Sequence, residues 1–92
     1  MKRKIAIVAG GDSSEYAVSL RSAAGINSFL DPEKYDIRIV VLKGADWQVV
    51  QDWEMKEGEV IIGTTLPVDK NDFSYRLNGE KVRFDFAYIT IH

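Results

Sequence analysis

A chain of 92 residues, 46% of them hydrophobic, has room for one small core and not for two independent domains. Twelve basic and fourteen acidic residues give a net charge of −2, which leaves no electrostatic footprint for nucleic acid; no basic run marks a membrane surface. Cysteine is absent, which excludes disulfides, zinc thiolates and a thiol nucleophile and fits a reducing compartment.

Lys4 to Ala9 is a compact apolar run closed by Gly10-Gly11. Its length and β-branching predict a strand buried on both faces. The run is too short to cross a bilayer, which takes about 20 residues. Glycines and an aspartate follow at once, so no secretion signal is read. Asp12 then predicts a helix N-cap, with Glu15 as the third helical residue, the reciprocal pair of a capping box. Helical spacing puts Tyr16, Leu20, Ala23, Ala24 and Leu30 on one side and Arg21, Gly25 and Ser28 opposite, with Val18 off the buried face. Asp31-Pro32 closes the helix. Tyr35 to Leu42 is a second strand, which completes a βαβ unit with parallel strands and a right-handed crossover.

The middle is less regular. Trp47-Gln48-Val49-Val50 and Glu59-Val60-Ile61-Ile62 are short strand-like runs without an assigned register. Asn78-Gly79 between alternating segments predicts a two-residue hairpin pairing Leu77 with Glu80, Tyr75 with Val82 and Phe73 with Phe84. Phe86 to Ile91 is a last apolar strand, and the chain stops on His92. No cap, helix or tail follows that strand, so the chain is expected to be one domain of a longer protein; a natural terminus on an edge strand is the alternative. The expected fold is a Rossmann-like, three-layer α/β domain spanning residues 1–92. Its mainly parallel sheet has strands at 4–9, 36–42 and 86–91, a helix at 14–30 on one face, and a β-hairpin. As an isolated piece it is expected to leave one sheet face uncovered and to self-associate.

Ligands of open α/β sheets bind beyond the carboxyl ends of parallel strands. Here those places are the loop Gly10 to Glu15 and the end at His92. If the two strands are parallel neighbours, Glu15 and His92 face one crevice. Gly10 and Gly11 are adjacent, so the dinucleotide fingerprint is absent, as is the phosphate-binding G-K-[ST] ending. Asp12 and Glu15 would repel an anion at the helix start; a carboxylate there suits an ammonium, which points to a small amine or amino acid. Other readings stand beside these. Glu15 reads equally as a capping-box residue, Asp12 as a cap, and His92 as an incidental strand-end histidine. Trp47, Trp53, Phe73, Tyr75 and Phe84 read as a hydrophobic layer over the sheet rather than an aromatic cage. The sole histidine has no second ligand pattern near it, so no metal site is expected.

At these residues the sequence resembles a known family. The stretch Ile5-Ala6-Ile7-Val8-Ala9-Gly10-Gly11-Asp12-Ser13-Ser14-Glu15-Tyr16-Ala17-Val18-Ser19-Leu20 is similar to the opening of D-alanine–D-alanine ligases: an apolar strand, G-G, a polar S-x-E, then V-S-L and a small-residue helix. Asp85 to His92 is similar to the family's apolar strand leading into an H-G motif, and stops on the histidine. Tyr16-Ala17 departs from the family's frequent Arg-Glu, and Gly44 to Arg83 carries no motif that aligns. The resemblance implies the N-terminal substrate domain, of pre-ATP-grasp type, of an ATP-grasp ligase that makes peptidoglycan precursor in the cytoplasm. In that family ATP and magnesium turn the carboxylate of the first D-alanine into an acyl phosphate, which the amine of the second D-alanine attacks. The resemblance implies that Glu15 helps hold the first ammonium, that His92 lies near that substrate's carboxyl end, and that Val18 lines the pocket. It places ATP, magnesium and the second substrate on domains beyond this chain and implies a homodimer. The chain alone is then expected to be inactive. A stand-alone α/β module that binds a small ligand without catalysis is the competing class.

Overall fold

β1 (Arg3–Gly10) forms where the sequence puts an unbroken apolar, β-branched run, and it is buried from Ile5 onward. In this computed structural model, residues 2–10, 13–43 and 46–90 are described, without the side chains of 13–16. α1 (Ser13–Phe29) follows, then β2 (Tyr35–Lys43), β3 (Asp46–Val50), β4 (Trp53–Lys56), β5 (Glu59–Ile62), β6 (Thr65–Asp69), β7 (Ser74–Leu77), β8 (Glu80–Arg83) and β9 (Phe86–Ile89). Seven strands make one sheet in the order β8-β7-β6-β3-β2-β1-β9, and β4-β5 stands apart as a hairpin.

β1 pairs in parallel on both edges, Ile7 opposite Ile39 of β2 and Tyr88 of β9. Residues of alternate parity then feed two cores. Ile7 and Ala9 join Ile39, Val41 and Val50 beneath Leu20 and Ala23 of α1, with Trp53, Val60 and Ile62 of the small hairpin packed at the flank. Ala6 and Val8 join Val40 and Val49 on the opposite face, where Val68 and Tyr75 meet them. The helix turns the face expected of it: Leu20, Ala23 and Ala24 are buried, while Arg21, Gly25 and Ser28 are exposed. Asp85 anchors the other end of the β1–β9 pair. Its Oδ2 accepts from the Lys4 backbone N–H, and its own N–H donates to the Lys4 carbonyl, both at 2.7 Å.

The Rossmann-like three-layer expectation is wrong. A three-layer sandwich needs helices on both faces of a mainly parallel sheet. Among the described residues α1 is the only helix, and antiparallel pairs (β2–β3, β3–β6, β6–β7, β7–β8) outnumber the two parallel ones. The second face is covered by the sheet's own curl. β6 pairs with β3 through Thr65, Leu66 and Pro67, then with β7 through Val68 and Asp69. Pro67, which has no N–H to give a second neighbour, lies where the pairing changes hands. The β6–β7–β8 arm bends there and lays Phe73, Tyr75, Val82 and Phe84 over the Val40 face. The rings of Phe73 and Phe84 are 5.2 Å apart, those of Tyr75 and Phe84 5.5 Å, and Trp47 meets Phe73 edge-on at 6.2 Å.

The expected aromatic layer is therefore real for those four side chains but not for Trp53, which packs on the opposite, helical side. The uncovered face is also corrected: both central faces are covered, and the exposed large apolar side chains lie on the edge strand (Phe86, Tyr88 and Ile89), at the end of α1 (Phe29), at Val18 and on the small hairpin (Met55 and Ile61). The hairpin at Asn78-Gly79 pairs Leu77 with Glu80 and Tyr75 with Val82 as expected, with positive φ at both turn residues. Its ladder stops at Ser74↔Arg83, so Phe73 and Phe84 meet through their rings alone.

Two predictions follow from the packing. At Gly10, φ is +139° and an added Cβ would lie 2.1 Å from the Leu42 carbonyl oxygen, so β1 and β2 close on backbone there. Gly10→Ala is expected to cost roughly 2–5 kcal/mol from strain and overpacking. Gly25→Ala, in the exposed middle of α1 with nothing within 4 Å, is expected to stabilise by about 0.5–1 kcal/mol. Denaturant titration reads both signs.

The second concerns Asp72, which ties the β6–β7 turn to β8 through Lys81 and Arg83. A hydrogen bond from the Lys81 ammonium, and then one from the Ser74 hydroxyl, hold its carboxyl at about 2 instead of the ordinary 3.8. The folded-state value is the lower one, so this contribution to stability is complete above the ordinary carboxylate range and is lost as pH falls through about 2. Thermal melts of wild type and Asp72→Asn are expected to differ near neutral pH and to converge as pH drops from about 5 to about 2. A gap in Tm that is constant over that range would show that the carboxylate's charge is not what holds the turn.

Candidate functional site

The carboxyl ends of β1 and β9 lie side by side, with Val8 opposite Ile89, and α1 begins three residues after Gly10. That is the place where open sheets collect ligands. Parallel pairing was the condition for Glu15 and His92 to share a crevice; an antiparallel β9 would have put them at opposite ends of the sheet.

Hydroxyls build the junction. Thr90 donates to the Val8 carbonyl twice, from its backbone N–H at 2.9 Å and from Oγ1 at 2.7 Å. Ser19 Oγ accepts the Gly10 N–H at 3.0 Å and donates to the Thr90 carbonyl at 3.3 Å, with Thr90 Oγ1 at 3.4 Å. Ser19 is 0% exposed and Thr90 6%. A buried hydroxyl or amide without a partner costs about 1–3 kcal/mol, and here each has one. Among the described residues no buried side-chain nitrogen or oxygen lacks a partner.

Glu15 is the third residue of α1, the position expected from the capping pattern, and it stands one turn ahead of Ser19. Its side chain lies outside the described residues, as do Asp12 and His92 altogether, so the capping pair and the Glu15–His92 convergence fall outside what the structure describes. Val18 is 44% exposed at the start of the helix, in keeping with its expected place off the core face. The sequence reading missed Ser19 and Thr90. A signal was there: Ser19 lies one helical turn before Ala23 on the buried stripe, and Thr90 interrupts an otherwise apolar strand end. A hydroxyl at a core position needs a partner, and that need points to a junction.

The described residues bring together no group of three His, Cys, Asp or Glu side chains that fits a metal ion. None of their helices is long and apolar enough to cross a membrane.

The family model described as D-ala D-ala ligase N-terminus matches residues 4–92. The chain belongs to that family. The match runs through residues 44–83, where the sequence carries no motif that aligns. Along its full length the chain is 58% identical to a D-alanine–D-alanine ligase of Bacteroides thetaiotaomicron and 56% identical to one of Phocaeicola vulgatus. It is 47% identical to one of Porphyromonas gingivalis. In each case it covers 26% of the relative, so the chain spans about a quarter of the length of the curated relatives it matches. Among solved structures it is similar to D-alanyl-alanine synthetase A from Vibrio cholerae, with a TM-score of 0.68 and 25% identity over 99% of this chain and 24% of that one. The curled mixed sheet with one helix is therefore an architecture shared with a relative.

Proposed function

We propose that the chain is the first-substrate domain of a longer D-alanine–D-alanine ligase, which joins two D-alanines in an ATP-dependent reaction for cell-wall peptidoglycan. One observation supports this most directly: β1, β9 and the start of α1 converge at their ligand-binding ends in a chain whose relatives carry that name. In this reading the Glu15 carboxylate accepts hydrogen bonds from the ammonium of the first D-alanine. Val18 lines the pocket, and His92 lies near the substrate's carboxyl end. Carboxylate and ammonium attract most strongly where water is excluded, and the buried Ser19–Thr90 junction forms a dry floor beneath this end of the sheet.

The described residues do not fit ATP or magnesium. They offer no acidic cluster for the cation, and the loop after β1 lacks a phosphate-binding pattern. In this reading those groups would be held by other parts of the longer protein, where they would supply the activation of the first substrate's carboxylate. The work left to this chain is to bind and orient the first substrate. The same reading makes the longer protein a cytoplasmic homodimer that acts on D-alanine and has neither nucleic acid nor membrane as a partner.

Glu15→Gln in the full-length protein tests the assignment. A hydrogen bond to a charged group contributes roughly 1.5–3 kcal/mol, so affinity for the first D-alanine is expected to fall about 10- to 150-fold while the KM for ATP holds. If Glu15 is only the third residue of a capping box, where glutamine serves as well, the variant instead keeps both its stability and its affinity for D-alanine. Steady-state kinetics with unchanged kcat and unchanged KM for the first D-alanine would refute the assignment.

A further inference from the structure

Ser19 is placed where a core helix ordinarily carries a methyl. Ala23 and Ala24 follow it on the buried stripe, and Ser19 is itself 0% exposed. Alanine there would fill much the same volume and have the better helix propensity. The hydroxyl instead joins residues far apart in sequence: it takes the N–H of Gly10, nine residues back, and reaches the carbonyl of Thr90, 71 residues on. Thr90 in turn holds the Val8 carbonyl with its own hydroxyl. The result is a closed circuit of hydrogen bonds through β1, α1 and β9 at the single point where all three end or begin.

We infer that Ser19 and Thr90 act as a pair of positioning residues for the first D-alanine, fixing the start of α1 and the end of β9 relative to β1. The kinetic side of this inference rests on the ligase reading proposed above. Glu15 precedes Ser19 by one helical turn, and His92 follows Thr90 by two residues. Such short tethers pass a shift at the junction on to both positions. Without the Ser19 hydroxyl, the Gly10 N–H and the Thr90 carbonyl lose a partner at a buried position. They must move to regain one, and α1 and β9 separate. Displacement of about 1 Å at a substrate-orienting group can cost as much as 100-fold. ATP, bound elsewhere in the longer protein, does not feel the change.

The test is made on the full-length protein with Ser19→Ala, Thr90→Val, the double variant and Thr90→Ser. Thr90→Val keeps the shape of the side chain, and Thr90→Ser keeps the hydroxyl. Each single loss is expected to raise the KM for the first D-alanine about 10-fold or more, with the KM for ATP within about twofold. The double variant is expected to resemble the singles, because either loss opens the same circuit, and Thr90→Ser to remain near wild type. Gly10 amide hydrogen exchange is expected to accelerate in Ser19→Ala, a readout that does not depend on catalysis. Variants that melt earlier yet keep both KM values would reduce the pair to structural glue and overturn the inference. So would equal rises in both KM values, or an unchanged Gly10 exchange rate. The two proposals separate cleanly: normal D-alanine affinity in Glu15→Gln beside a raised KM in Ser19→Ala rejects the ammonium role and keeps the positioning pair. If the wild-type protein lacks ligase activity, the ligase reading falls, and the Gly10 exchange rate alone decides for or against the junction.

Discussion

Val8 offers one carbonyl to two donors of Thr90, and two residues further on Gly10 gives its N–H to Ser19. The rest of the structure is arranged around these bonds, because β1 is the strand that everything else must meet. It pairs in parallel with β2 on one edge and β9 on the other, and its alternate residues supply both cores. A strand buried in this way has no free backbone group to spare for solvent. Its end must therefore be closed by side chains, and the closure is also what holds the candidate site together.

The two faces of the sheet are covered by different means. α1 lies on one face with the β4–β5 hairpin at its flank. On the other, the sheet covers itself by changing partners at Pro67 and folding an antiparallel arm over the Val40 row. The arm's aromatic side chains gather on the face formed by Ala6, Val8, Val40 and Val49 and reach Leu42 at the carboxyl end of β2.

How much could be read from the sequence depended on whether the signal was local. The apolar run at Ile5–Ala9, the stripe of Leu20, Ala23 and Ala24, and the Asn78-Gly79 turn are local patterns with one structural solution each, and all three appear as expected. β6, and the bend that carries the β7–β8 hairpin over the sheet, were not legible. Pro67 argues against an interior strand unless one knows that the ladder changes hands there. The β4–β5 turn puts Glu57, at a φ of 54°, where asparagine or aspartate is the usual sign. The expectation of a three-layer sandwich generalised from one βαβ unit, and the described residues hold no second helix to complete it. For the site, what was legible is the parallel β1–β9 pairing on which the placing of Glu15 and His92 at strand ends relied; the Glu15 side chain and His92 lie outside the described residues. Ser19 and Thr90 were passed over because a buried hydroxyl shows its purpose only when its distant partners are known.

Direct observation of the bound amino acid would decide the central claim, that this junction receives the first D-alanine. A crystal structure of the full-length protein soaked with D-alanine is expected to show the substrate beyond the ends of β1 and β9, its ammonium nitrogen about 3 Å from a Glu15 carboxylate oxygen. A Glu15 carboxylate bonded only to backbone N–H groups at the start of α1, with D-alanine bound elsewhere, would contradict it.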